Sequence, residues 1–235
     1  MRKIFTAIIG LIFINHSYAQ LKLGIKVSPQ YTWESTDSKS LSVSASRVNI
    51  SYGVMIDYFF GENYSIGTEL GIGTFGGAIN PDSVFVTSKN VLAKDLTIDY
   101  KMQYINIPFI LKMRTKEIGY TRFYAEAGLG MYYNFKAKAD VTSTSNPSLN
   151  RTNIDVNNPD PSDKDYINFN NNGLNPQVNF FRFSFIVGAG IQYNAFGNTM
   201  LIAGLRYDNA LNDYTAESTW KTRMNFVALH LGVLF

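Results

Sequence analysis

The chain has 235 residues, a formal net charge of +3, 14% aromatic residues and no cysteine, with mean hydropathy close to zero at -0.08. The missing cysteine excludes a disulfide framework and a lipid-modified cysteine anchor. The small net charge gives no electrostatic footprint for nucleic acid, so no nucleic-acid partner is expected.

Residues 1–19 read as a signal peptide: Arg2 and Lys3, an apolar run over 4–14, then Ser17, Tyr18 and Ala19 as a small-residue cleavage site. The apolar run is too short for a membrane helix, which needs about 20 residues to cross a hydrocarbon core. Removal of Arg2 and Lys3 leaves a mature chain of formal charge +1 that starts at Gln20, and 20–235 is read as one domain. No later apolar run approaches the length of a membrane helix.

Eight segments then alternate with the period of two that marks a strand. Over 21–33, Leu21, Leu23, Ile25, Val27, Tyr31 and Trp33 share a face opposite Lys22, Lys26, Ser28 and Gln30. Over 47–60, Val48, Ile50, Tyr52, Val54, Ile56 and Tyr58 oppose Asn49, Ser51, Met55 and Asp57. Over 64–75, Tyr64, Ile66, Leu70 and Ile72 oppose Glu69 and a set of glycines. The fourth segment is irregular. Its apolar residues are Leu96, Ile98, Tyr100 and Met102 at first, then Ile105, Ile107, Phe109 and Leu111, a slip that a β-bulge near Gln103 or a displaced strand boundary would absorb. Segments 122–135, 181–194 and 199–208 put Leu129, Val187 and Leu205 on apolar faces and Glu126, Arg182, Arg206 and Asp208 opposite them. The last, 226–235, sets Val227, Leu229, Leu231, Val233 and Phe235 against His230.

These segments are long for a soluble sheet, whose strands usually run about five or six residues. No amphipathic helix is present to cover their apolar faces. Short connections (61–63, 115–121, 195–198) alternate with long ones (34–46, 76–95, 136–180, 209–221). Tight turns at one end and free loops at the other are the asymmetry of an all-β, eight-stranded antiparallel up-and-down transmembrane β-barrel, with both termini on the periplasmic side. The longest loop carries Asp155, Asp160, Asp163 and Asp165, but their spacing fits no EF-hand, and no metal site is expected there. Its composition is that of a solvated surface loop.

An eight-stranded barrel encloses only enough room for side chains. Counted from the periplasmic end, Lys26, Glu69, Glu126 and His230 lie at one height and Arg206 slightly higher, and they are expected to form an interior network of opposed charges. Burying such charges without partners would be costly, which is the rationale for the network. Inward glycines at 71, 73, 128, 130, 188 and 190 leave space for long side chains or, on a competing reading, for a small-solute channel. Past the signal peptide, His230 stands alone as a histidine, and it points into the filled interior, so no catalytic residue and no cofactor are assigned.

The stretch YINIPFILK (104–112), the opening LKLGIKVSP, the stretch GVMIDYFFGENYSIGTELGIG around the first short turn and the aromatic-ended last strand together resemble the PorT-like outer-membrane β-barrel family of Bacteroidetes. That resemblance covers nearly the whole mature chain. It implies residence in the outer membrane among its lipids and, for the PorT branch, an association with type IX secretion and gliding. The final strand ending in Phe235 is similar to the signal read by the barrel assembly machinery, whose edge-pairing would be relieved on closure. The long loops are the expected place for an envelope protein partner.

Overall fold

The computed structural model describes residues 20–82, 84–86, 91–157, 178–216 and 220–235. Residues 1–19, read above as a signal peptide, and the aspartates 160, 163 and 165 lie outside the described residues.

Eight long strands form a closed antiparallel ring: β1 (Gln20–Thr36), β2 (Arg47–Phe59), β3 (Tyr64–Pro81), β4 (Leu96–Asn106 and, after a break, Phe109–Arg114), β5 (Thr121–Ser143), β6 (Phe181–Phe196), β7 (Thr199–Ala210) and β8 (Thr222–Leu234). Each pairs with its sequence neighbours, and β8 returns to β1 in a register that runs from Gly24 opposite Leu234 to Thr36 opposite Thr222. Closure satisfies the backbone groups that an open edge would leave unpaired. Pro108, which has no N–H to give, marks the break in β4. Its carbonyl accepts from Thr68 Oγ1 at 2.9 Å, and Ile107 N donates to Met131 O at 2.8 Å, so the wall stays continuous there.

The lower part of the barrel, toward the short turns, follows the expected alternation. Leu23, Ile25, Val54, Leu70, Leu129, Phe185, Leu205 and Leu229 are exposed on the outside, while Lys26, Asp57, Glu69, Glu126, Arg206 and His230 are buried within. This apolar band is bounded by aromatic residues at both rims. Phe60 stacks on Tyr64 and Tyr120 lies against Tyr193 at the short-turn end; Trp33 stacks on Tyr207, and Tyr133 meets Phe180 and Phe181, at the other.

Beyond the second rim the strands run further than the alternation over the band suggests, and the chemistry inverts. On β3 the strand continues to Pro81, on β5 to Ser143, and short strands Leu41–Ala45 and Arg151–Asp155 add to their edges. Here polar residues face out and apolar ones face in, because the wall has left lipid and the interior needs a seal. The irregularity of the fourth segment is explained accordingly. Its even-numbered residues point inward throughout, from Leu96 and Tyr100 to Asn106 and Lys112, so β4 has no slip in facing. What changes along β4 is the interior it meets, apolar above and polar below. The bulge sits instead on the neighbouring strand: Gln103 pairs with Lys136 and Tyr104 with Asn134, which leaves Phe135 as the extra residue of β5.

Candidate functional site: the barrel interior

The interior has two layers. In the lower one, Arg206 of β7 reaches across the interior to two carboxylates, Glu69 of β3 and Glu126 of β5. Its Nε donates to Glu126 Oε1 at 2.7 Å, and its Nη1 and Nη2 donate to Glu69 Oε2 and Oε1 at 2.9 Å each. Lys26 pairs with Glu69 as well. Two cations therefore face two carboxylates, and His230 lies beside them with Nε2 at 3.9 Å from Glu69 Oε1. All five residues expected inside are thus brought within one cluster, each no more than 6% exposed. Such charges are tolerated because bidentate, charge-assisted geometry offsets part of their desolvation. Gly188 makes the space: a Cβ there would come within 2.8 Å of Glu126 Oε1. Gly204 does the same for the ring of Tyr124.

Two further ion pairs flank this cluster and were not picked out from the sequence. Lys112 Nζ donates to both oxygens of Asp57 at 2.9 and 2.8 Å, nearer the short turns. Arg182 donates to Asp208 at 2.5 Å and to Met224 O, while Tyr132 and Ser184 donate to the other Asp208 oxygen. The Arg182 guanidinium also lies over the Tyr132 ring, 4.6 Å from its centroid. Alternation already places all four charged residues inward, so the signal was present; what it lacks is which residue meets which.

The arrangement Ser28, His230, Glu69 has the residue types of an acyl-transfer relay, with Ser28 Oγ 3.3 Å from His230 Nδ1. Its surroundings argue for a structural role. Ser28 is 2% exposed, and both Glu69 oxygens are held by Arg206. A nucleophile needs a place for its substrate within about 3 Å.

The upper layer is an apolar plug. Phe75, Ile79, Ile98, Tyr100, Met102, Tyr132, Ala139, Val141 and Phe226 come from the wall, and Leu149, Val156, Val178, Tyr214 and Trp220 fold in from the long loops. Phe75 packs edge-on against Tyr104 and Tyr132. Between plug and polar layer a cavity of about 10 Å³ remains, lined by Ser28, Gln30, Asn106 and His230 among others. That is roughly the room of one water. The space over Gly71, Gly73, Gly130, Gly188 and Gly190 is met by neighbouring side chains, and that over Gly128 by the backbone of Phe109 and Ile110.

One acid is buried in the plug. Glu34 of β1 is 5% exposed, packs against Gly77, and neither carboxylate oxygen has a hydrogen-bond partner among the described residues. At its height the outer wall carries Arg47, Asp99 and Lys101, so it lies above the apolar band. Burial pushes its carboxyl up to about 7, with the nearby Asp99 adding to the rise and Arg47 opposing it. A raised carboxyl favours the neutral acid in the folded state, so stability is fullest below the unfolded value, falls as pH rises toward the folded value near 7, and levels off above it. Glu34→Gln is expected to abolish this slope and to stabilise the barrel by roughly 3 kcal/mol at about pH 8, read as urea unfolding in detergent at acid and alkaline pH. Equal pH dependence in the two proteins would refute it. Asp155, the one described aspartate of the loop set, accepts from Asn157 N at 3.1 Å through Oδ1.

A closed eight-stranded ring with an apolar outer band, two aromatic rims and a charge-paired, sealed interior is a transmembrane β-barrel. The chain belongs to the family described as outer membrane protein beta-barrel domain, which it matches over residues 15–216, and its place is the outer membrane. No functionally curated protein matches it in sequence. Among solved structures it is similar to Neisserial surface protein A, at 13% identity and TM-score 0.49, covering 92% of this chain and 97% of that one. The attachment invasion locus protein Ail of Yersinia pestis gives 14% identity and TM-score 0.42, covering 92% and 99%. OprG of Pseudomonas aeruginosa gives 8% and 0.44, covering 92% and 94%.

Proposed function

We propose that this protein is a non-conducting, non-catalytic outer-membrane barrel that serves the envelope as a structural element and as a holder of protein-binding loops. The observation that carries this reading is the two-layer interior, in which a balanced charge cluster and an apolar plug meet, among the described residues, around a cavity of about 10 Å³. Solute passage requires a continuous water-filled path, and the loop residues Tyr214 and Trp220 contribute to the seal. Residues 1–19 are the leader that carries the chain across the inner membrane. Phe235 at the end of β8 contributes to recognition by the barrel assembly machinery. Its N–H bonds to Leu23 O at 2.7 Å, so the final residue joins the seam between first and last strands.

In planar bilayers the purified protein is expected to show no stepwise conductance. Well-resolved steps that vanish when the loop carrying Tyr214 is cross-linked to the wall would replace this reading with a channel. The stretch YINIPFILK supports a second reading, membership of the secretion-linked PorT branch. Affinity purification from envelope membranes separates the two: co-purifying type IX secretion components would favour the branch, and their absence a general surface barrel.

A further inference from the structure

We infer that the outer wall of β4 and β5, directly above the apolar band, is a binding site for the phosphate of an anionic lipid headgroup in the outward-facing leaflet. The boundary is sharp across three strands. Ile72, Ile105 and Tyr133 are paired in one row, and the next outward row up is Thr74, Gln103 and Lys136. Above it stand Lys101 and Lys138, directly opposite one another, then Asp99 and Asp140, also directly opposite. Like charges facing each other across a strand pair destabilise a sheet unless something else compensates them.

Part of that compensation is internal. Lys101 reaches diagonally to Asp140 at 2.5 Å, and Asp99 is taken by Arg47 from β2. Both aspartates are then used. Lys136 and Lys138 make no ion pair with a described residue, though Asp155 of the edge strand stands opposite Lys138 in register, so four basic residues face three carboxylates and the surface keeps a surplus of one positive charge. These four basic residues, with Asn49, Thr74 and Gln103, line an open groove of about 310 Å³ on the outside of the barrel.

The bulge at Phe135 is what builds this surface. Below it Tyr132 and Asn134 point inward; above it Ala137, Ala139 and Val141 do so, which turns Lys136, Lys138 and Asp140 to the outside. Without the extra residue the two lysines would enter the apolar plug. One irregularity therefore supplies the plug with small residues and the lipid surface with cations. Phe135, 44% exposed, marks the top of the lipid band on β5, and a lysine stem starting one residue above it reaches the level where headgroup phosphates lie. Basic residues held at that level attract anionic headgroups strongly.

The test uses the whole mature protein in phosphatidylcholine nanodiscs doped with phosphatidylglycerol, with bound lipid counted by native mass spectrometry. The double variant Lys136→Gln, Lys138→Gln is expected to lose roughly 30-fold in apparent affinity for phosphatidylglycerol, about five-fold for each lysine. Lys136→Arg, Lys138→Arg should retain binding and shows that the site rather than folding is being read. A charge-matched control, Lys39→Gln with Lys221→Gln at the loop end, should keep the preference. Equal loss in the control, or no loss in the groove variant, overturns the inference. So does displacement of the lipid by millimolar inorganic phosphate, which would make this a site for free phosphate.

Discussion

Arg206→Met is expected to cost roughly 3 to 5 kcal/mol of folding stability, because it leaves a buried carboxylate without its cation. Glu69 keeps Lys26, but both hydrogen bonds to the Glu126 carboxylate come from Arg206. The loss should therefore appear as an uncompensated charge at Glu126, which is 4% exposed. Adding Glu126→Gln to the variant should recover a large part of the stability, and Glu126→Gln alone should cost less than Arg206→Met. Urea unfolding in detergent micelles, followed by the fluorescence of Trp33 and Trp220, measures all three. If the double variant is no more stable than Arg206→Met, the cluster does not act as a coupled unit.

The second large effect lies on the outer surface. Leu129→Arg should cost roughly 2 to 4 kcal/mol in a lipid bilayer, and Val48→Arg about 0 to 1. Leu129 is 58% exposed at mid-height of β5, between the aromatic rims, where an arginine would meet acyl chains. Val48 is exposed too, at 78%, but it pairs with Tyr31 at the upper rim, where a long side chain reaches water. In water both exposed sites would accept an arginine at a similarly small cost, so the size of the difference tests the membrane placement itself. Equal costs at the two sites would place the lipid boundary elsewhere.

The interior pairs show how far sequence reading extends. Lys26, Glu69, Glu126, Arg206 and His230 share the inward parity of their strands, and counting residues from the short turns puts them at similar heights. The same parity places Asp57, Lys112, Arg182 and Asp208 inside, yet it says nothing of the separate Lys112–Asp57 and Arg182–Asp208 pairs. Those depend on the stagger between neighbouring strands, which closure of the ring imposes and no single strand encodes. The fourth segment makes the same point from the other side. Leu96, Ile98, Tyr100 and Met102 look like a lipid face that has slipped, because an apolar stripe reads alike whether it meets acyl chains or an apolar plug. Here Tyr100 packs edge-on against Tyr214 from a distant loop.

By itself, then, the amino-acid order determined the strand period, the division of each wall strand into an oily and a polar side, and the alternation of tight turns with long loops. These are local properties, set by neighbouring residues two apart and by turn chemistry. The tertiary structure decided which buried charges meet, that the upper barrel is sealed by loop residues, and that the bulge opposite Gln103 turns Lys136 and Lys138 outward. The first two depend on contacts across the ring, fixed only once the first strand has paired with the last, and the third on the register between β4 and β5.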